Sequence, residues 1–460
     1  METIPVLVAL ALLLFLLLSG VPVAFSLAST GIVGLVLISG GDIVGSVIAG
    51  TTYTAVGKSN LVVVPMFILM GMLTLNSGIA EQLFAVAAKV LKKLPGGLAV
   101  ATIFASAGFG AVSGSSLASV GTIGKLAISE MVRHGYNRSF AAASVAVSGS
   151  LAVLIPPSII LVLYGAVTGE SVGNLLLAGI IPGVLSALML GGFSLYRAWR
   201  KPALIDGSDM RRRQELAIAK GQTFEVEEAA TVKISPASVT GALIAIGLIF
   251  LVVMGGIYSG VFTPSESAAV GAVVALLLLV GQYIKKPRVM FRNLGKAFTE
   301  TVSLNAMIFM ILVGAGIFSY FLVVAGVPTA LSQLVVGLPV PPELTVIFLL
   351  LILIPGGMFL DSISLLVITV PLVYQPIMDL GFNGIWLGIL IVKLIELGMI
   401  TPPIGMNVFV TAGTTRGLGV HEVFKGVIPF YIADVAIIAV LFAFPSIVTW
   451  LPDLSMAAGG

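Results

Sequence analysis

The groups in this chain best suited to chemistry are oxygen donors held inside apolar runs. Two Pro-Pro pairs, Pro156-Pro157 in "LAVLIPPSIILVLYG" and Pro402-Pro403 in "LGMITPPIGMNVFV", interrupt stretches that otherwise read as membrane helix. Proline has no N–H, so the carbonyl four residues earlier loses its helical partner. The pairs thereby free the carbonyls of Ala152 and Val153, and of Gly398 and Met399. In lipid such carbonyls persist only where protein, water or a cation satisfies them. Upstream of each pair lies a segment rich in hydroxyls or acid: Ser113, Ser115 and Ser116 in "GFGAVSGSS", and Asp361, Ser362 and Ser364 in "IPGGMFLDSIS". Carbonyls and hydroxyls together suit a hard cation such as sodium, and two copies predict two related cation sites with a substrate between them. The competing explanation is that each pair only kinks a helix around a neighbour. Recurrence, each time after a serine- or acid-bearing segment, favours the cation sites.

Other reactive groups are few. There is no cysteine, so no disulfide framework and no thiolate. The two histidines, His134 and His421, fall at helix ends and are expected to be solvated. Lys393 and Glu396 stand i,i+3 in one apolar run and are either functional buried charges or a self-neutralising pair. Glu266 and Asp434 are expected as helix-end or interhelix contacts. "GFGAVSG" lacks the spacing and the βαβ setting of a dinucleotide loop, and no Walker-type phosphate loop occurs. A membrane enzyme would need a convergent nucleophile, base or metal set, and the scarcity of His and Cys argues against one. A channel would need a continuous polar pore.

The elements that must position these groups follow from composition. Of 460 residues 58% are hydrophobic and 9% charged, more apolar surface than a soluble chain can hide. The pattern predicts an all-α polytopic membrane protein with crossings near 4–20, 21–40, 60–78, 138–168, 173–196, 238–258, 264–284, 303–324, 384–412 and 424–450. The crossings at 138–168 and 384–412 are the broken helices. Segments 97–130 and 341–376 read as re-entrant hairpins, and short pieces near 80–93 and 287–302 as interfacial helices. The first helix, preceded by Glu2 and no basic residue, reads as retained rather than as a signal peptide. Residues 197–237 form a polar linker between a first repeat (1–196) and a second (238–460). Basic clusters such as Lys92/Lys93, Arg211–Arg213 and Lys285/Lys286 fall on one side only if both termini lie outside, which leaves the linker cytoplasmic. The excess of positive charge then reflects topology and not nucleic-acid binding. Each half has five crossings, so the second is inverted relative to the first. Shifting the first half by 246 aligns Gly110 with Gly356, Ser116 with Ser362, Asn137 with Asn383 and Pro156 with Pro402.

Four motifs in order, "GAVSGSSLASVGTIG", "SGSLAVLIPPSIILVLYG", "GMFLDSISLLVITVPLVYQPI" and "LGMITPPIGMNVFV", resemble the large membrane subunit of tripartite ATP-independent periplasmic (TRAP) transporters. The resemblance covers essentially the whole chain. It implies sodium-driven import of an organic anion by an elevator-type fold related to the divalent-anion/sodium symporters. It also implies two partners: a small four-helix membrane subunit, here expected as a separate chain, and a soluble periplasmic binding protein. Two or more sodium ions and no organic cofactor are expected, in the bacterial inner membrane with periplasmic termini. Carried over by motif, the first sodium site comprises Ser113 and Ser115 with backbone oxygens of Ala152, Ile155 and Pro157. The shift gives Gly398, Thr401 and Pro403 for the second, with Asp361 nearby. Ser116, Ser158, Ser362 and Asn407 are expected to face the substrate. Sialic acid, C4-dicarboxylates, other sugar acids and keto acids all fit. The runner-up is a stand-alone carboxylate/sodium symporter.

Overall fold

The computed structural model describes residues 3–219 and 236–459. Every regular element there is helical, and no strand occurs among the described residues. Six described helices are long and apolar enough to cross a membrane, or eight when two bent pairs each count as one span. Thr3–Leu18 and Val23–Ser39, with 16 and 17 residues, were expected as crossings but are shorter than that length.

The two hairpins form where hydroxyls and glycine allow a tight reversal. In the first, arms Gly97–Ser113 and Ser116–Arg133 meet at Gly114, whose φ of +60° glycine adopts without the Cβ penalty. Ser115 caps the second arm, its Oγ accepting from the Ala118 N–H at 3.4 Å. The second hairpin runs Pro342–Leu351 and Leu353–Phe359 up, then Ser362–Asp379 down. Its cap is Asp361, whose Oδ1 accepts from the Ile363 and Ser364 N–H groups, each at 3.0 Å. Polar side chains thus satisfy the orphan N–H groups at both tips.

Each broken helix begins alike. Gly135 and Gly381, with φ of +85° and +87°, turn the chain, and Asn137 and Asn383 cap the helices that follow. The first runs Arg138–Ser148 and Leu151–Leu154, breaks at Pro156-Pro157, and resumes as Ile159–Thr168 with a 44° bend. The second runs Gly384–Met399 and resumes as Met406–Thr414. Packing between hairpins and broken helices is reciprocal. The first arm of each hairpin lies on the helix before its own break. The second arm lies on the helix after the other repeat's break, Ser116–Arg133 on Met406–Thr414 and Ser362–Asp379 on Ile159–Thr168.

Beside this unit, Val23–Ser39 packs on Pro287–Val324, and Val63–Leu75 on Pro264–Tyr283. The first crossing is close: a Cβ at Gly314 would stand 2.2 Å from the Ala24 carbonyl oxygen.

Several expected boundaries differ. The piece at 287–302 and the crossing at 303–324 form one helix, Pro287–Val324, of 38 residues, because no proline or glycine-led turn separates them. The piece at 80–93 is Ile79–Leu91, set at 62° to Val63–Leu75 across Gly78. It buries Leu83, Phe84 and Val86 and packs on the first hairpin, so it is more than an interfacial helix. The last crossing stops at Ala443, and Pro445 separates it from Ser446–Gly459. Helices Val44–Val56 and Val327–Val336 were not anticipated.

The linker is partly helical. Val172–Arg200 takes its first residues, and Ser208–Ala219 follows. The turn leading into this helix docks on the start of the first broken helix. The Asn137 N–H donates to the Leu204 carbonyl (2.8 Å), the Gly207 N–H to that of Gly135 (2.9 Å), and Arg213 pairs with both Asp209 and Glu422. The expected linker at 220–235 lies outside the described residues.

Candidate ion and substrate site

The first tip sits on the first break. A Cβ at Gly110 would stand 2.3 Å from the Ala152 Cα, and one at Gly114 3.0 Å from the Pro157 carbonyl oxygen. These contacts bracket Ser113, which is buried and whose hydroxyl has no hydrogen-bond partner. Ser113, Ala152 and Pro157 are therefore brought together, and Ser115 follows one residue past the turn. Pro156 and Pro157 cannot donate to the Ala152 and Val153 carbonyls, while the Ile155 N–H donates to Leu151 (2.9 Å). The Ile155 side chain packs on Gly183. Ser158 is buried, and its Oγ accepts from the Leu161 N–H at 3.3 Å, capping the resumed helix. It lies between Pro157 and Ile159, both of which stand against Gly114 at the first tip.

The second tip meets the second break in the same manner with two differences. A Cβ at Gly357 would stand 2.9 Å from the Gly398 Cα, and the Gly405 N–H donates to the Met358 carbonyl (3.2 Å). The shift of 246 aligns Gly110 with Gly356, yet it is Gly357 that faces the break. Gly356 faces Leu365 of its own hairpin, so the register slips by one in this arm. Nor is the Gly398 carbonyl left free as expected. The chain tightens so that the Thr401 N–H donates to it (2.9 Å), and the Thr401 hydroxyl goes to the Leu397 carbonyl (2.6 Å). The Tyr431 hydroxyl satisfies the Ile400 carbonyl (2.6 Å). Asp361 is held as a cap, with its Oδ2 accepting from the Ser364 hydroxyl (2.5 Å). Pro402 and Pro403 are exposed, whereas Pro156 and Pro157 are buried.

Between the two tips lies Glu396, which is 1% exposed. The Ser362 hydroxyl of the second tip donates to its Oε1 at 2.9 Å, and the Asn407 amide to its Oε2 at 3.3 Å. Ser116 of the first tip stands beside the same carboxylate. A Cβ at Gly149 would meet both Asn407 and the Ser116 carbonyl at 3.3 Å, so the first broken helix closes the cluster. Three residues expected to face the substrate, Ser116, Ser362 and Asn407, thus surround a carboxylate. Lys393 acts on Glu396 through space but makes no direct ion pair with it, so the self-neutralising reading holds only in part. Lys393 turns to Asp434 on Tyr431–Ala443, and both are buried in that ion pair. Glu266 closes a capping box with Thr263, a helix-end contact as expected.

A crevice of about 380 Å³ opens between Val44–Val56 and Pro287–Val324 on one side and Ile159–Thr168 and Ser362–Asp379 on the other. Thr51, Thr54, Ser319 and Tyr320 line it with Lys58, whose amine donates to the Ala166 carbonyl (3.1 Å). Lys58 was missed because the helix before it was not anticipated; its one sequence signal is a lysine between two apolar stretches.

Hairpin tips held on broken helices, flanked by a second layer of crossing helices, define a multi-pass membrane transport protein rather than an enzyme. The chain belongs to the family of the DctM component of tripartite ATP-independent periplasmic transporters, whose model matches residues 10–447. It is 32% identical to the C4-dicarboxylate TRAP transporter large permease protein DctM of Vibrio cholerae, over 97% of this chain and 98% of that one. It is 28% identical to the sialic acid TRAP transporter large permease protein SiaM of the same organism, over 96% and 97%. It also resembles the isethionate TRAP transporter permease protein DctMQ of Oleidesulfovibrio alaskensis (29%), covering 96% of this chain but 64% of that protein. Among solved structures it shares the fold of the Alcanivorax borkumensis YdaH transporter, with a TM-score of 0.58, 14% identity and 90% of each chain covered.

Proposed function

We propose that this chain is the translocation subunit of a TRAP transporter and imports a small organic anion, a carboxylate, driven by sodium. The observation that carries this reading is the pairing of each hairpin tip with a proline break, with the unpartnered Ser113 hydroxyl at the first contact. Oxygen donors at such a contact suit sodium. The crevice beside Lys58 offers one positive charge and several hydroxyls to a carboxylate. The hairpins and broken helices form the mobile unit of an elevator, and Val23–Ser39, Val63–Leu75, Pro264–Tyr283 and Pro287–Val324 its scaffold. The exposed second break and buried first break fit a unit open toward one side. The two halves form inverted repeats, with both termini outside the bacterial inner membrane.

Its partners are a periplasmic binding protein that delivers the substrate and a small membrane subunit that braces the scaffold. Relatives are named for C4-dicarboxylate, sialic acid and ectoine transport, and the substrate of this chain belongs to that range of small carboxylates. The test is reconstitution into liposomes with small subunit, binding protein and sodium each left out in turn. Uptake should need all three. Undiminished uptake of free substrate by this chain alone would instead establish a stand-alone symporter.

A further inference from the structure

Glu396 is a carboxyl group buried where both hairpin tips meet. It is 1% exposed, and no ion pair with it occurs among the described residues. The basic residue one turn away, Lys393, acts on it through space but makes its ion pair with Asp434, so two buried acids share one base. An isolated carboxylate in a dry interior is costly, so such a group is stable only with a cation or a proton on it. The surrounding atoms favour a cation. The Ser362 hydroxyl stands against both Glu396 Oε1 and Met399 Sδ and keeps oxygen lone pairs, and the Asn407 side-chain carbonyl, on a residue 0% exposed, has no partner. One carboxylate with neutral oxygens fits a hard monovalent ion. Among the described residues no three acidic or histidine side chains gather to hold a more highly charged one.

We propose that Glu396, Ser362 and Asn407, with Ser116 beside them, form a sodium seat of their own, separate from the two tip–break contacts. This proposal rests on the sodium-coupled reading above. Ser116 comes from the first hairpin, Ser362 from the second, and Glu396 and Asn407 from the two sides of the second break. A sodium ion here therefore ties both tips to one broken helix.

The experiment measures labelled sodium and substrate taken up together by proteoliposomes holding the full transporter, for the wild type, Glu396→Gln and Glu396→Asp. Glu396→Gln should move one fewer sodium per substrate, and Glu396→Asp should keep the wild-type ratio at a raised half-saturating sodium. Should Glu396→Gln not fold or not transport, sodium-induced shifts in melting temperature are read on Ser362→Ala and Asn407→Ala. Each should need about tenfold more sodium for the same shift. An unchanged sodium ratio in an active Glu396→Gln overturns the seat, as does an unchanged sodium titration in both neighbours. Loss of pH dependence with an unchanged sodium ratio would place a proton there and also overturn it. Wild-type uptake that ignores sodium would defeat the parent reading itself; these results are distinguishable.

Discussion

Gly357 and Gly398 touch backbone to backbone: a Cβ on Gly398 would stand 2.8 Å from the Gly357 Cα, and one on Gly357 2.9 Å from the Gly398 Cα. The second hairpin reaches its break only because neither residue has a side chain. Gly398→Ala should force the two backbones apart and cost about 1–3 kcal/mol as overpacking. Uptake should fall with it. Gly192→Ala, in a helix where an added Cβ meets nothing within 4 Å, should be neutral or stabilising. Melting temperatures of the two variants in detergent check the contrast, and equal behaviour would remove the contact from the account.

The Lys393–Asp434 pair joins the second broken helix to Tyr431–Ala443 inside the protein. Removing one partner leaves a bare buried charge, so Lys393→Met should cost about 3–5 kcal/mol. The double variant Lys393→Met/Asp434→Leu should recover most of that. Thermal unfolding of the three proteins decides it: a single variant as stable as the wild type would mean the pair is not bearing charge.

Ser113 and Asp361 separate binding from capping. The Ser113 hydroxyl makes no hydrogen bond, so Ser113→Ala should leave stability unchanged while raising the sodium needed for half-maximal uptake. Asp361→Asn keeps a capping oxygen and should fold, whereas Asp361→Ala should lose about 1 kcal/mol as a cap. Both Asp361 variants should lose transport. Normal uptake by Asp361→Asn would reduce this residue to a cap.

Lys58 supplies the only positive charge lining the crevice among the described residues. Lys58→Ala should raise the KM for substrate with little change in melting temperature, and an unchanged KM would exclude the crevice from the substrate's route.

The parts of the site that were legible in sequence are those set by single residues. Proline cannot donate, so Pro156-Pro157 and Pro402-Pro403 mark breaks wherever they stand. Ser115 and Asp361, expected at the sodium sites, turn out also to cap the helices that follow them, a role their short polar side chains permit. What sequence did not carry was partnership across the fold. Lys393 lies nearer in sequence to Glu396 than to Asp434, and only the packing of Tyr431–Ala443 beside it decides between them. The Gly398 carbonyl was expected to be free because helix geometry was assumed up to the break, whereas the chain tightens and Thr401 reaches it. Val44–Val56 escaped notice because, at 13 residues, it is too short to read as a crossing.

Sodium coupling through the tip–break contacts is the central claim, and its most direct test is uptake under an imposed ion gradient. Proteoliposomes holding the complete transporter would receive substrate-loaded binding protein outside, with sodium outside and potassium inside. Uptake above the equilibrium level, abolished when external sodium is replaced by potassium and indifferent to ATP, is the predicted result. Full uptake in potassium-only buffer would contradict it.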